Sequence, residues 1–202
     1  MNRERDLECK FMPIPDASIY LIPTICLPLA ADQVLNKLIT ETPWRTESIV
    51  LWGKKYLQPR LIAWFADTGI HYTYSKIRLD PLPWTDLLNG IRQEVERAAK
   101  TPFNSVLVNY YRNQHDSMGL HSDDEPELGP NPVIASLSVG DPRIFILKHR
   151  VRKDLKTIRI TLNSESLLVM QGNTQENWRH GIPKERHPCG ARVNLTFRQI
   201  IN

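Results

Sequence analysis

Six short segments rich in β-branched, apolar and aromatic residues fill the second half of the chain: SVLVNYYR, VIASLSVG, RIFILKH, TIRITL, SLLVMQG and RVNLTFRQI. Turn-forming residues separate them, and no helical period intervenes. Parallel strands need long crossover connections, so strands at this spacing pair antiparallel, in a sandwich or a barrel. A jelly roll is the form these signals fit best.

The first half reads differently. LAADQVLNKLITE places Val34, Leu35, Leu38 and Ile39 on one helical face, and WTDLLNGIRQEVERAAK does the same with Leu87, Leu88, Ile91, Val95 and Ala98. Thr85 is in place to cap the second helix, and Pro102 lies beyond its end. Between them SIVLWGKKYLQPRLIAWF reads as a hairpin turning near Gly53 and Lys54. The expected class is α+β: a double-stranded β-helix (jelly-roll) core with the N-terminal helices packed on one sheet. We expect one domain over residues 1–202. Residues 1–104 form an N-terminal extension with the helices and the hairpin, and residues 105–202 form the core.

No apolar run approaches the 18 or so residues of a membrane span. IYLIPTICLPLAA is short, broken by Pro23 and Pro28, and lacks a basic flank, so it reads as core rather than a leader. Cys9, Cys26 and Cys189 are widely spaced, which fits a reducing compartment and argues against a disulfide framework or a thiolate metal site. The expected location is cytoplasmic, or nuclear in a eukaryote, and not secreted.

Charge is unevenly spread. Five acids lie between Asp116 and Glu127 with no Lys or Arg among them, while Lys148 to Arg159 holds six basic residues and one acid, Asp154. Crowded anions repel unless water or a cation relieves them. Inside the acidic run His121 and Asp123 stand two apart, so on an extended chain they point to the same side and can grip one ion. His180 is the best third ligand. Two imidazoles and one carboxylate leave coordination positions open, which suits Fe(II) and oxygen chemistry. His71, His115, His149 and His187 read as surface or packing residues.

RVNLTFR alternates strictly. Val193, Leu195 and Phe197 take one face, and Arg192, Asn194, Thr196 and Arg198 take the other. A strand exposed on that side would look the same. If the face points into a barrel, its two guanidiniums need anions, and a dicarboxylate supplies two.

HSD, the later His180 and RVNLTFR, together with NYYRNQHDSMGLHSDDEP, IASLSVG, PRLIAWF and YTYS, resemble the AlkB family of Fe(II)/2-oxoglutarate dioxygenases. The resemblance runs from about Gln58 to Ile200 and is nearest to the nucleic-acid repair branch. It implies His121, Asp123 and His180 as iron ligands, and Arg192 on the distal carboxylate of 2-oxoglutarate. Arg198 would serve the carboxylate nearer the metal, with Asn109, Tyr111 and Asn194 also lining the cosubstrate site. Asp124 and Glu125 would read the base edge, and Tyr72 and Tyr74 would stack on the base. Trp52 would be the wedge of a substrate-binding hairpin that fills the gap left by a flipped base. The implied partner is alkylated DNA, single- or double-stranded, with RNA as a further candidate, handled by a monomer without a membrane. The implied reaction is oxidative demethylation of bases of the 1-methyladenine and 3-methylcytosine type, with O2 as oxidant and formaldehyde, succinate and CO2 as products. Two readings remain beside it: an Fe(II)/2-oxoglutarate hydroxylase of a protein or small molecule, and a non-catalytic jelly-roll binding module.

Overall fold

The strand segments of the second half pair antiparallel into two sheets that enclose one interior. The structure is a computed structural model that describes residues 9–51, 54–70, 72–74, 77–79 and 81–201. In chain order the first half supplies β1 (Lys10–Met12), β2 (Ser18–Ile22), α1 (Ala31–Glu41), β3 (Ser48–Leu51) and β4 (Lys54–Leu57). It continues with β5 (Leu61–Ala66), β6 (Tyr72–Tyr74), β7 (Ile77–Leu79) and α2 (Asp86–Ala99). The second half supplies β8 (Ser105–Tyr111), β9 (Met118–His121), β10 (Ile134–Gly140), β11 (Arg143–His149) and β12 (Ile158–Leu162). After these come β13 (Leu167–Gln171), the single turn α3 (Thr174–Asn177), β14 (Trp178–Ile182) and β15 (Arg192–Arg198).

Among the described residues, the major sheet runs β1-β2-β13-β10-β15-β8-β5 and the minor sheet β12-β11-β14-β9. Strands β8 to β15 alternate between the sheets in jelly-roll order, except at the β11–β12 hairpin within the minor sheet. Three strands from before residue 105, namely β1, β2 and β5, extend the major sheet at its two edges, with β5 paired to β8 and β2 to β13. β3 and β4 form the expected hairpin, with Leu51 opposite Lys54. Its tip, Trp52 and Gly53, lies outside the described residues. Among those described, no helix is long and apolar enough to cross a membrane.

Both helices form where their apolar faces predict, and Thr85 Oγ1 caps α2 by accepting from the Leu88 N–H at 3.2 Å. Their apolar faces bury Val34, Leu38, Leu88, Ile91 and Val95 against Val193, Leu195 and Phe197 of β15. A second cluster, including Leu107, Phe145, Leu147, Met170 and Trp178, fills the space between the sheets. All seven residues of β15 are buried, so the question left open for RVNLTFR has an answer. Its apolar face lies under the helices, and its polar face turns into the barrel.

This two-faced burial separates stability from the interior chemistry. Leu195→Ala deletes a fully buried side chain beneath the helices and should cost about 3 kcal/mol in urea denaturation. Co(II) affinity of the folded variant should match the parent, because Leu195 faces away from the barrel interior.

Candidate active site

β9 and β14 bring the expected metal ligands together. They pair with His180 directly opposite His121, and a register irregularity follows between His180 and Ile182. Gly181 makes the approach possible, since a Cβ there would fall 2.7 Å from the Met118 carbonyl oxygen and 2.9 Å from that of Gly119. Asp123 follows the end of β9, where two bonds hold its loop. Gln175 Oε1 accepts the Asp123 backbone N–H at 3.0 Å, and Ser122 Oγ donates to the Trp178 carbonyl at 3.0 Å.

One ligand atom from each of His121, Asp123 and His180 can be chosen so that all lie within 4.8 Å of one another. The His121 Nε2 and His180 Nε2 atoms each stand 3.8 Å from an oxygen of Asp123. His121 Nδ1 is 2.9 Å from the Gly119 carbonyl oxygen. A carbonyl only accepts, so Nδ1 carries the proton and Nε2 presents its lone pair to the cluster. Burial pushes the His180 imidazole down to about 3, with repulsion from His121 and Arg198 adding and Asp123 opposing. Desolvation also lowers His121. Burial would raise Asp123, yet Arg198 and the two imidazoles hold it at about 2. At neutral pH the set is two neutral imidazoles and one carboxylate, the protonation state that metal binding requires.

A cation fits this set. Asp123 Oδ2 is buried with no hydrogen-bond partner. Leaving such an oxygen unmet costs roughly 1–3 kcal/mol or more, which a bound ion would remove. The other oxygen, Oδ1, takes a 2.7 Å bond from Arg198 Nη2. Arg198, expected on the cosubstrate carboxylate nearer the metal, thus stands at the metal end of the cavity and orients the metal-facing carboxylate.

The cavity that contains this cluster is also lined by Asn109, Tyr111, Arg192, Asn194 and Arg198. Register explains their convergence: Arg192 lies opposite Tyr111, and Asn194 opposite Asn109, across β15 and β8. Arg192 is 1% exposed and donates through Nη2 to Ser138 Oγ at 2.9 Å, while its Nε and Nη1 have no partner. Unmet N–H groups on a buried guanidinium call for an anion, and a carboxylate fits. Asn109 Oδ1 accepts from Arg60 Nε at 2.7 Å, and its Nδ2, which carries two N–H groups, donates to the Leu107 carbonyl at 3.5 Å. Asn194 is different. Its Nδ2 donates to Ser136 Oγ and the Leu137 carbonyl, and its Oδ1 accepts from Thr196, so its amide is used within the wall.

Asp124 and Glu125 follow the cluster in sequence but lie outside this cavity wall. Asp124 is exposed and pairs with Arg150 Nη1 at 2.9 Å. Tyr72 and Tyr74 lie on β6, opposite Leu79 and Ile77 of β7. His115 and His187 are exposed, whereas His149 is buried edge-on against Trp178.

A family model described as the 2OG-Fe(II) oxygenase superfamily matches residues 18–198. Human alpha-ketoglutarate-dependent dioxygenase alkB homolog 3 is 37% identical over 208 residues, covering 99% of this chain and 72% of the relative. The chain belongs to the AlkB family of 2OG-Fe(II) oxygenases. Mouse DNA oxidative demethylase ALKBH2 is 37% identical over 180 residues, with 85% and 75% of the two chains covered. The solved structure of OsALKBH1 superposes with a TM-score of 0.66 at 16% identity, over 95% of this chain and 99% of that one, and shares the fold. As an AlkB-family member, this chain is a dioxygenase that uses Fe(II) and 2-oxoglutarate.

Sequence reasoning missed the strands that carry the histidines, because MGLH and WRHGI are too short and too polar to announce themselves. It also assigned no role to Gln175, Arg60 or Arg143. The signal for the arginines was charge at the edge of apolar strands, in PRLIAWF and PRIFILKH. Gln175→Leu removes the acceptor that holds the Asp123 backbone and should weaken Co(II) binding at least tenfold, the usual effect of losing an outer-shell partner. Titration followed by visible absorption tests this, with the melting temperature as a check on folding.

Proposed function

We propose that this AlkB-family enzyme removes N-methyl groups from bases of the 1-methyladenine and 3-methylcytosine type in nucleic acid. The observation that carries the reading is the 37% identity to alkB homolog 3 across 99% of this chain, matched by 37% identity over 180 residues to a DNA oxidative demethylase. Bound Fe(II) and 2-oxoglutarate supply oxidation of the methyl carbon by O2, after which the hemiaminal falls apart to formaldehyde and the repaired base.

The chain's own residues divide the remaining work. His121, Asp123 and His180 would hold the metal, with Gln175 and Arg198 orienting Asp123. Arg192, Tyr111 and the Asn109 amide would hold the dicarboxylate, and the buried walls limit water access. A base must leave its stack to reach such an enclosed site. Tyr72 and Tyr74 would stack on it, Asp124 and Glu125 would read its edge, and Trp52 would fill the gap it leaves.

Surface charge supports a polyanionic substrate. Lys148 and Arg179 are exposed cross-strand partners on the outer face of the minor sheet, and exposed Arg159 lies opposite the neighbouring Ile146. Like charges directly opposite each other destabilise a sheet, and phosphates would relieve them. This favours nucleic acid over a protein or small-molecule substrate. DNA is the primary substrate in this reading and RNA a second one. In this reading the enzyme acts as a monomer.

Mass spectrometry of a 1-methyladenine or 3-methylcytosine oligonucleotide, incubated with Fe(II), 2-oxoglutarate and O2, should show conversion to the unmodified base. Asp123→Ala should abolish it. Succinate formed at an unchanged rate with or without the lesion would sink the substrate assignment. Trp52→Ala should lower activity on a duplex about tenfold while leaving a single strand nearly level. An equal loss on both would remove Trp52 from the role of wedge.

A further inference from the structure

Arg143, at the start of β11, is 1% exposed and has no place in the site described so far. Its Nη2 donates to the carbonyls of Asp116 at 2.9 Å and Pro183 at 2.7 Å, and its Nη1 reaches that of Asn113 at 3.4 Å. These carbonyls belong to the β8–β9 and β14–β15 loops, which the Glu185 N–H also joins by donating to the Gln114 carbonyl at 3.0 Å. Arg143 thus closes the barrel beyond Tyr111, at the opposite end of β15 from Arg198.

Glu185 answers part of its charge, its Oε1 standing 3.6 Å from Arg143 Nε as an ion pair beyond hydrogen-bond reach. Both oxygens of the nearby Asp116 are bound by Arg112. The Arg143 charge also acts toward the interior, where it repels Arg192. Its guanidinium carbon lies 5.4 Å from the Tyr111 ring centroid, and that of Arg192 lies 5.1 Å from the same centroid. The two cations are then no farther apart than the sum of those distances, about 10.5 Å. Burial pushes the Arg192 guanidinium down to about 10 and Arg143 adds to that push, while Tyr111 opposes it. At neutral pH Arg192 remains a cation, shares the Tyr111 ring with Arg143, and keeps two nitrogens without a hydrogen-bond partner.

We propose that Arg143 sets the preference of this cavity for a dicarboxylate over a monocarboxylate, acting through Tyr111 and Arg192 without touching the ligand. The inference rests on the assignment of the cavity to 2-oxoglutarate. Arg143 is a positioning residue whose charge strengthens the pull on the distal carboxylate. A ligand without that carboxylate gains nothing from it.

Calorimetry on the full chain loaded with Mn(II), which avoids turnover, separates the possibilities. The ligands are 2-oxoglutarate and 2-oxopentanoate, which has the same carbon chain with a methyl in place of the distal carboxylate. Arg143→Met should lower the affinity ratio about tenfold, the scale of one charge at roughly 10 Å in an effective dielectric near 20, with 2-oxopentanoate held within about twofold. Glu185→Gln, on a partly exposed side chain, removes the nearest opposing charge and should raise the ratio about twofold even if Arg143→Met does not fold. Equal losses for both ligands in Arg143→Met, or an unmoved ratio in Glu185→Gln, overturn the proposal. Undiminished 2-oxoglutarate affinity in Arg192→Met would instead overturn the assignment of the cavity.

Discussion

A strand buried on both faces cannot carry a guanidinium at each end unless anions meet them, and β15 is such a strand. Its apolar residues secure the helices to the outside of the major sheet. Its polar residues have nowhere to go but the barrel interior. Arg198 is met from within, by Asp123 at 2.7 Å. Arg192 meets the Ser138 hydroxyl and the side chain of Tyr111, and its Nε and Nη1 keep no hydrogen-bond partner. The two ends of one strand thus differ: Arg198 is met by a carboxylate of the protein, and Arg192 is not.

The acidic run from Asp116 to Glu127 follows from the same accounting of charge. Its members look crowded in sequence, but the fold distributes them among separate cations. Asp116 lies under Arg112, Asp123 against Arg198, and Asp124 opposite Arg150. The segregation of acidic and basic segments along the chain is undone in space, at least for Arg150. Asp123 Oδ2 keeps no hydrogen-bond partner and stands 3.8 Å from His180 Nε2.

Backbone geometry supplies the rest of the site. His121 and His180 are far apart in sequence and meet because β9 and β14 pair, and they come close because Gly181 presents no Cβ to the opposing carbonyls. Gln175, in the single turn that precedes β14, reaches back to the Asp123 amide.

The sequence by itself determined the parts that depend on local period and residue type. The six strand segments, both helices and the Thr85 cap follow from alternation, a helical face and side-chain chemistry, and each forms as read. The two faces of RVNLTFR were also legible, because a period of two assigns sides without any knowledge of neighbours. The His-x-Asp pair was legible by residue type and spacing, although Asp123 lies past the end of β9 and is held by its loop. Only the tertiary structure decided which side was inside. It showed that the polar face of β15 is buried, that β1, β2 and β5 join the major sheet, and that Arg198 is held by Asp123. It alone placed Arg143 behind Tyr111 and Gln175 behind Asp123, because those contacts join distant strands and loops whose meeting depends on sheet order and register. Periodicity within one strand carries no record of which strand will lie beside it.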